Sequence, residues 1–325
     1  MDLTQTKPAQ QERAPEKPDR RSLKDYFWLA VRGYAIGAAD VVPGVSGGTM
    51  AFILGIYEEL IHSIHAVDLT FIRRLLTLRI REAFADFPWR FLLALALGLA
   101  TAVFTLAEVI NQALHNYPVW VWSFFFGLVL ASIFIVRKRV SRWTPATILT
   151  LLAAAVGAYL LVGMVPAQTP EAPWFLFLSG AIAVTATALP GISGAFVMVL
   201  LGKYHFLLDA VVNLDLLPLI IMASGAVVGL ISFARVLRWL FLHYHNITIA
   251  ALTGLMLGAL RRVWPWKESA ITHVNQELAV IQEINVLPAA FTPEVAIAIM
   301  LTIFGFSTVW LIDRLSARPI ENEPL

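Results

Sequence analysis

The chain has 325 residues, of which 58% are hydrophobic and 14% charged, with a net charge of +2 and a mean hydropathy of +0.73. Soluble domains run at about 45–50% apolar and about 25% charged, so one water-facing core cannot hide this much apolar sequence. The small net charge argues against a nucleic-acid reader, and with no cysteine in the chain disulfides, thiolate metal sites and Cys nucleophiles are excluded. What remains is an all-α integral membrane protein with many spans.

Residues 1–24 are polar and charged, contain Pro8, Pro15 and Pro18, and have no apolar run before Tyr26. They read as a disordered tail whose lysines and arginines place it in the cytoplasm. Ten apolar segments follow, at roughly 26–42, 45–64, 90–114, 119–136, 145–165, 174–189, 192–212, 216–242, 247–263 and 294–312. Six have the length of a span or nearly so. The other four form two pairs, each interrupted by Pro-Gly.

The interruptions match. Pro43-Gly44-Val45-Ser46-Gly47-Gly48 and Pro190-Gly191-Ile192-Ser193-Gly194-Ala195 lie 147 residues apart, and Leu54, Gly55 and Tyr57 meet Leu201, Gly202 and Tyr204 at the same offset. Further on, Gly98, Ala107, Tyr117, Gly127 and Leu128 meet Gly225, Ala234, Tyr244, Gly254 and Leu255 at an offset of 127. Near the end, Thr144-Pro145 and Gly157 meet Thr292-Pro293 and Gly305 at an offset of 148. The chain therefore reads as a tandem repeat. Each half is a Pro-Gly-broken re-entrant helical hairpin plus three transmembrane helices. A half crosses an odd net number of times, so the two halves are expected to be inverted, as in many secondary transporters.

This gives a cytoplasmic tail over 1–24, a first repeat over 25–165, a second over 174–313 and a short cytoplasmic tail over 314–325. The first repeat carries a basic amphipathic cytoplasmic insertion at about 66–90, with Phe71, Leu75, Leu78 and Phe84 on one face. Arg73, Arg74, Arg79, Arg81 and Arg90, and then Arg137, Lys138, Arg139 and Arg142, fall on the expected inner side, whereas 115–118 and 166–173 hold no Lys or Arg. The loop at 264–293 is the exception, with Lys267 beside Arg261 and Arg262.

A Pro-Gly break inside an apolar hairpin frees backbone N–H groups that need partners or a water-lined cavity. The half-helix that starts after it presents N–H groups and the positive end of its dipole. Two such ends facing each other would hold an anion near the midplane. The candidate ligands are Gly44, Ser46, Gly47, Gly48 and Thr49 from the first break, and Gly191, Ser193 and Gly194 from the second. A helix kink satisfied by its neighbours is the plainer alternative.

The stretch Gly37-Ala38-Ala39-Asp40-Val41-Val42-Pro43-Gly44-Val45-Ser46-Gly47-Gly48-Thr49 resembles the signature of the PopT-type polyprenyl-phosphate translocases. So do Ala188-Leu189-Pro190-Gly191-Ile192-Ser193-Gly194, Leu200-Leu201-Gly202-Lys203-Tyr204, Phe126-Gly127-Leu128, Gly254-Leu255-Met256-Leu257-Gly258 and Arg261-Arg262-Val263-Trp264-Pro265-Trp266-Lys267. The resemblance covers about 24–315. It implies a transporter of the bacterial cytoplasmic membrane that returns undecaprenyl phosphate, the lipid carrier of cell-wall and surface-glycan synthesis, from the outer to the inner leaflet. The expected partners are that lipid, the surrounding membrane lipid and protons. No cofactor, metal or nucleic acid is expected.

Among ionisable residues, Asp40 sits three residues before Pro43, where a neighbouring phosphate would favour its holding a proton; Glu108 is the second candidate for proton coupling. A carboxylate that simply holds the break is the alternative role for Asp40. Arg32 could meet the phosphate at the inner exit, and Lys203 could capture it from the outer leaflet. Interfacial anchoring is the alternative for both. Two other functions compete: a small-anion transporter, and an undecaprenyl diphosphate phosphatase. The phosphatase motif continues Pro-Gly-x-Ser with Arg-Ser, where this chain has Gly47-Gly48 and Gly194-Ala195, so the cation clamp of phosphoryl chemistry is missing.

Overall fold

A computed structural model describes residues 21–41, 46–67, 69–85, 87–273 and 279–316. Most of both expected tails, Pro43 and Gly44 lie outside the described residues. The helices run α1 Leu23–Asp40, α2 Gly47–Ile53, α3 Tyr57–His65, α4 Leu69–Leu76, α5 Ile80–Ala85, α6 Trp89–Asn116, α7 Pro118–Val136, α8 Pro145–Leu161, α9 Pro173–Ala188, α10 Gly194–Leu200, α11 Tyr204–Val212, α12 Leu216–Ala259 and α13 Pro293–Ser316. Among the described residues, four helices are long and apolar enough to cross a bilayer, or five if the bent pair α10–α11 counts as one. The protein is a multi-pass helical membrane protein. Its outward faces carry large apolar side chains such as Phe104, Leu149 and Val212, as lipid contact requires.

Local chemistry sets the helix starts. Ser22 and Asp25 form a reciprocal capping box at α1, and Thr144 and Thr147 do the same at α8. Proline, which has no N–H to leave unpaired, opens α7, α8 and α9. Helices α6 and α7 are separated by Tyr117, at φ −137 and ψ 52. Its repeat equivalent Tyr244 has nearly the same geometry, φ −134 and ψ 44, and interrupts α12. The expected segments 216–242 and 247–263 are therefore two parts of one 44-residue element bent at Tyr244. A straight helix of that length would run about 66 Å, twice the hydrocarbon core.

Packing repeats at matched positions. In the first half Gly33 lies against the Leu95 backbone and Gly98 against that of Ala30; in the second, Gly180 lies against Met222 and Gly225 against Phe177. So α1 runs alongside α6 as α9 runs alongside the first part of α12. The remaining helices pair across the halves. Gly127 meets Thr302 and Lys138 meets Asp313, so α7 runs parallel to α13. Gly254 meets Leu151 and Gly258 meets Ala155, so the second part of α12 runs parallel to α8. Small residues let the backbones approach this closely, which is how helices associate in lipid.

Three features add to the expectations. Each return segment is two helices, not one: Gly55 (φ +72) and Gly202 (φ +63) turn the chain between α2 and α3 and between α10 and α11, the second pair bending by 104°. Only glycine takes such a φ without steric cost. The basic insertion is two short helices, with Phe71, Phe84 and Phe87 clustered between them (Phe71 to Phe87 4.5 Å). Finally, the 264–293 loop holds an antiparallel ribbon, β1 Lys267–His273 and β2 Ala279–Asn285, with Lys267 opposite Asn285. Among the described residues, an otherwise helical fold thus carries one β element. Val280, Ile281 and Ile284 in a polar setting were its sequence signal.

Candidate functional site

The two breaks, 147 residues apart in sequence, meet. Ser46 caps α2 by accepting the Gly48 N–H at 3.1 Å. Its hydroxyl donates to the Leu189 carbonyl at 3.0 Å, with the Thr187 carbonyl at 3.2 Å as the other acceptor in reach. In return Thr49 Oγ1 accepts the Gly191 N–H at 2.9 Å, and Tyr57 Oη donates to the Ala188 carbonyl at 2.9 Å. Ser46, Thr49 and Tyr57 supply the polar groups of an unwound backbone with partners, which lipid cannot do. Gly48 has no room for a side chain there, because a Cβ would stand 2.9 Å from the Ala188 oxygen.

At the first break, Asp40 Oδ1 accepts the Gly47 N–H at 2.6 Å. The start of α2 thus already holds a carboxylate and a serine cap. The second break lacks both. Thr187 occupies the position of Asp40, and its hydroxyl donates back to the Ala183 carbonyl at 3.1 Å. Ser193 makes no cap bond to α10, and its hydroxyl has no hydrogen bond among the described residues. Gly191, at φ +90, fits between this turn and Met256 and Ala259 of α12.

The remaining candidates are dispersed. Arg32 is half-buried on α1 and carries no hydrogen bond or ion pair among the described residues. Lys203 is 2% exposed, and its Nζ donates to the Thr169 carbonyl at 2.9 Å between the rings of Phe175 and Phe206. It therefore braces the 162–172 loop in this structure. Glu108 lies on an exposed face of α6 and accepts from Gln112 one turn on (2.8 Å), away from both breaks. No metal-ligating cluster occurs among the described residues.

The sequence matches the family model VCA0040-like, described as undecaprenyl phosphate translocase-like, over residues 36–281, a span that contains both breaks. This chain belongs to that family. It is 40% identical to a polyprenyl-phosphate transporter of Vibrio cholerae over 251 residues, 77% of this chain and 82% of that protein. It is 26% identical to a polyprenyl-phosphate transporter of Staphylococcus aureus over 262 residues, 75% of this chain and 88% of that one. The family and both relatives are named as transporters, not enzymes. No solved structure matches the chain. The cluster Arg261, Arg262, Lys267 and Glu283 under the ribbon is only partly legible in sequence: Arg261 to Lys267 carry the family resemblance and stand as an exception to the charge rule, but nothing in the sequence brings Glu283 to them.

Proposed function

We propose that the chain carries undecaprenyl phosphate from the outer to the inner leaflet of the bacterial cytoplasmic membrane, holding the phosphate head where the two breaks meet. The observation that carries this reading is the reciprocal bonding of the breaks: Ser46 to Leu189, and Gly191 to Thr49. A charged head costs several kcal/mol or more to place in hydrocarbon. A polar seam inside the bundle takes it while the polyprenyl tail stays in lipid.

The inverted repeat belongs to the same proposal. Its support is that the return from the first break meets the 137–139 turn, where Arg139 stacks on Phe52, while the return from the second meets the 162–172 loop at Thr169 and Lys203. Those two connections lie at opposite ends of α8, about 25 Å apart for its length. The hairpins would thus enter from opposite sides, with both termini in the cytoplasm.

In this reading the head binds first at the start of α10, where Ser193 and Gly194 are uncommitted, with Ser46, Gly47, Gly48 and Thr49 forming the facing wall. Gly44, by its place in the motif, belongs to the same proposal. Asp40 fills the equivalent anion position on α2. A second negative charge there favours protonation of Asp40, which then releases the Gly47 N–H to the phosphate. A proton would thus accompany the lipid. Arg32, further along α1 toward the cytoplasm, takes the head at the inner exit. Lys203 and Glu108 enter no step.

The test is purified protein in liposomes with labelled undecaprenyl phosphate. Head-group exposure on each side is followed with and without a pH gradient, beside an assay for released phosphate. Protein-dependent movement that responds to the gradient is expected, with the gradient response lost in Asp40→Asn. Movement of free phosphate without lipid would replace the lipid by a small anion. Normal gradient response in Asp40→Asn would make Asp40 a brace of the break.

A further inference from the structure

We propose that Arg261, Arg262 and Lys267, gathered around Glu283 beneath the β ribbon, form a capture site for a phosphate monoester at the mouth of the second break. This rests on the transport reading above. Three cations here face one carboxylate. Arg262 Nη1 and Lys267 Nζ both donate to the same oxygen, Glu283 Oε2, at 3.0 and 3.1 Å. They line a small open cleft with Arg261, Val162 and Asn285. The Nε of Arg262 is buried with no hydrogen-bond partner among the described residues. A guanidinium with an unused donor beside an open cleft suits the forked binding of a phosphate.

Each cation is fixed by a ring on a different helix. Arg261 stacks on Tyr159 of α8 at 4.4 Å and donates to its carbonyl, Lys267 sits 4.1 Å from the Trp122 ring of α7, and Arg262 lies 5.0 Å over Phe196 of α10. Ordering these long side chains is a cost that binding no longer has to meet. Phe196 is two residues beyond Gly194, so the cleft adjoins the uncommitted start of α10. The ribbon holds the cluster in place: Trp264 Nε1 donates to the Val286 carbonyl at 2.8 Å and Asn285 Nδ2 to that of Arg261 at 2.7 Å.

Glu283 stands in for the ligand. Burial alone would push its carboxyl up, but Lys267 and Arg262 hold it below the usual glutamate range. Burial lowers the Lys267 ammonium despite that carboxylate. The site therefore has more positive charge than Glu283 satisfies, and an incoming dianion competes with Glu283 for the same donors.

The experiment uses the full-length protein in nanodiscs. Its probes are labelled farnesyl phosphate, a short polyprenyl phosphate, and farnesol and inorganic phosphate as competitors. Arg262→Gln with Lys267→Gln is expected to weaken farnesyl phosphate binding at least tenfold, Arg262→Lys to weaken it less, and Glu283→Gln to tighten it severalfold. Wild-type binding by the folded double variant would overturn the site, and so would weakening by Glu283→Gln equal to that of the double variant. Competition by inorganic phosphate at matched concentration would assign the site to the free anion; competition by neither would assign it to the lipid head.

Because the chain has no cysteine, Val162→Cys, at a position that lines the cleft, gives a second readout that does not need the charge variants to fold. Farnesyl phosphate should slow its labelling by a maleimide, and undiminished labelling at saturation would overturn the proposal. Binding at the cluster with no lipid movement in liposomes would sink the transport reading alone. Lipid movement unaffected by the double variant would sink capture alone.

Discussion

The two breaks share a motif and differ in what completes it. At the first, α2 is buried at all seven positions, Asp40 bonds Gly47, and Ser46 caps the helix while reaching across to Leu189. At the second, Thr187 replaces the acid, Ser193 caps nothing, and α10 leaves Ala195 and Val199 exposed. One copy is locked into the protein and the other is open. In the proposed reading, the duplicated turn does not act twice. One copy can serve as the wall on which the other works, its own anion position filled from within by a carboxylate.

The most severe challenge to this arrangement is Gly191→Ala. The residue sits at φ +90, and a Cβ would stand 3.0 Å from Met256 Cα and Ala259 Cβ. The backbone conformation alone should cost about 1–3 kcal/mol, and α12 would have to move as well. The expected result is a clearly lowered unfolding transition in detergent together with lost lipid movement. A transition at the wild-type position would mean that the second break is pliable.

Serine replacements sharpen the comparison. Ser46→Ala loses a cap and a bond to the opposite hairpin, together about 1–2 kcal/mol of stability, and lipid movement should fall with it. Ser193→Ala removes a hydroxyl with no hydrogen bond among the described residues, so stability should change by no more than about 0.5 kcal/mol. Its lipid movement should fall all the same. Equal stability losses in the two variants would erase the asymmetry; full activity in Ser193→Ala would remove Ser193 from the site.

The sequence disclosed the membrane class and the paired motifs, because hydrophobic runs and a Pro-Gly break are local features. The matched offsets also paired Tyr117 with Tyr244, which the structure gives nearly the same backbone geometry. What it hid depended on contacts. Nothing in Gly55 or Gly202 alone announces a bend that divides the return segment. Nothing in the string Arg261 to Lys267 tells that a glutamate sixteen residues beyond Lys267 returns to it, since that pairing is set by ribbon register. Lys203 read in sequence as a cation for phosphate capture or interfacial anchoring, and only packing revealed that the Thr169 carbonyl takes its ammonium.

Lys203 also supplies the smallest test of the comparison. Its repeat counterpart is Ile56, and both side chains are 2% exposed. The first half fills this place with a hydrocarbon, while the second spends a charge there to hold the Thr169 carbonyl at 2.9 Å. Lys203→Met keeps the volume. It gives up one charge-assisted hydrogen bond and relieves the burial of a cation, two effects of opposite sign. Stability should therefore shift by no more than about 1 kcal/mol either way. The loop from 162 to 172 loses a strap, so its amides should exchange faster with deuterium while lipid movement stays within about twofold, an effect too small to report on binding. If instead lipid movement fell tenfold or more with loop exchange unchanged, Lys203 would be a ligand for the head, and the open half would extend past α10 to the start of α11.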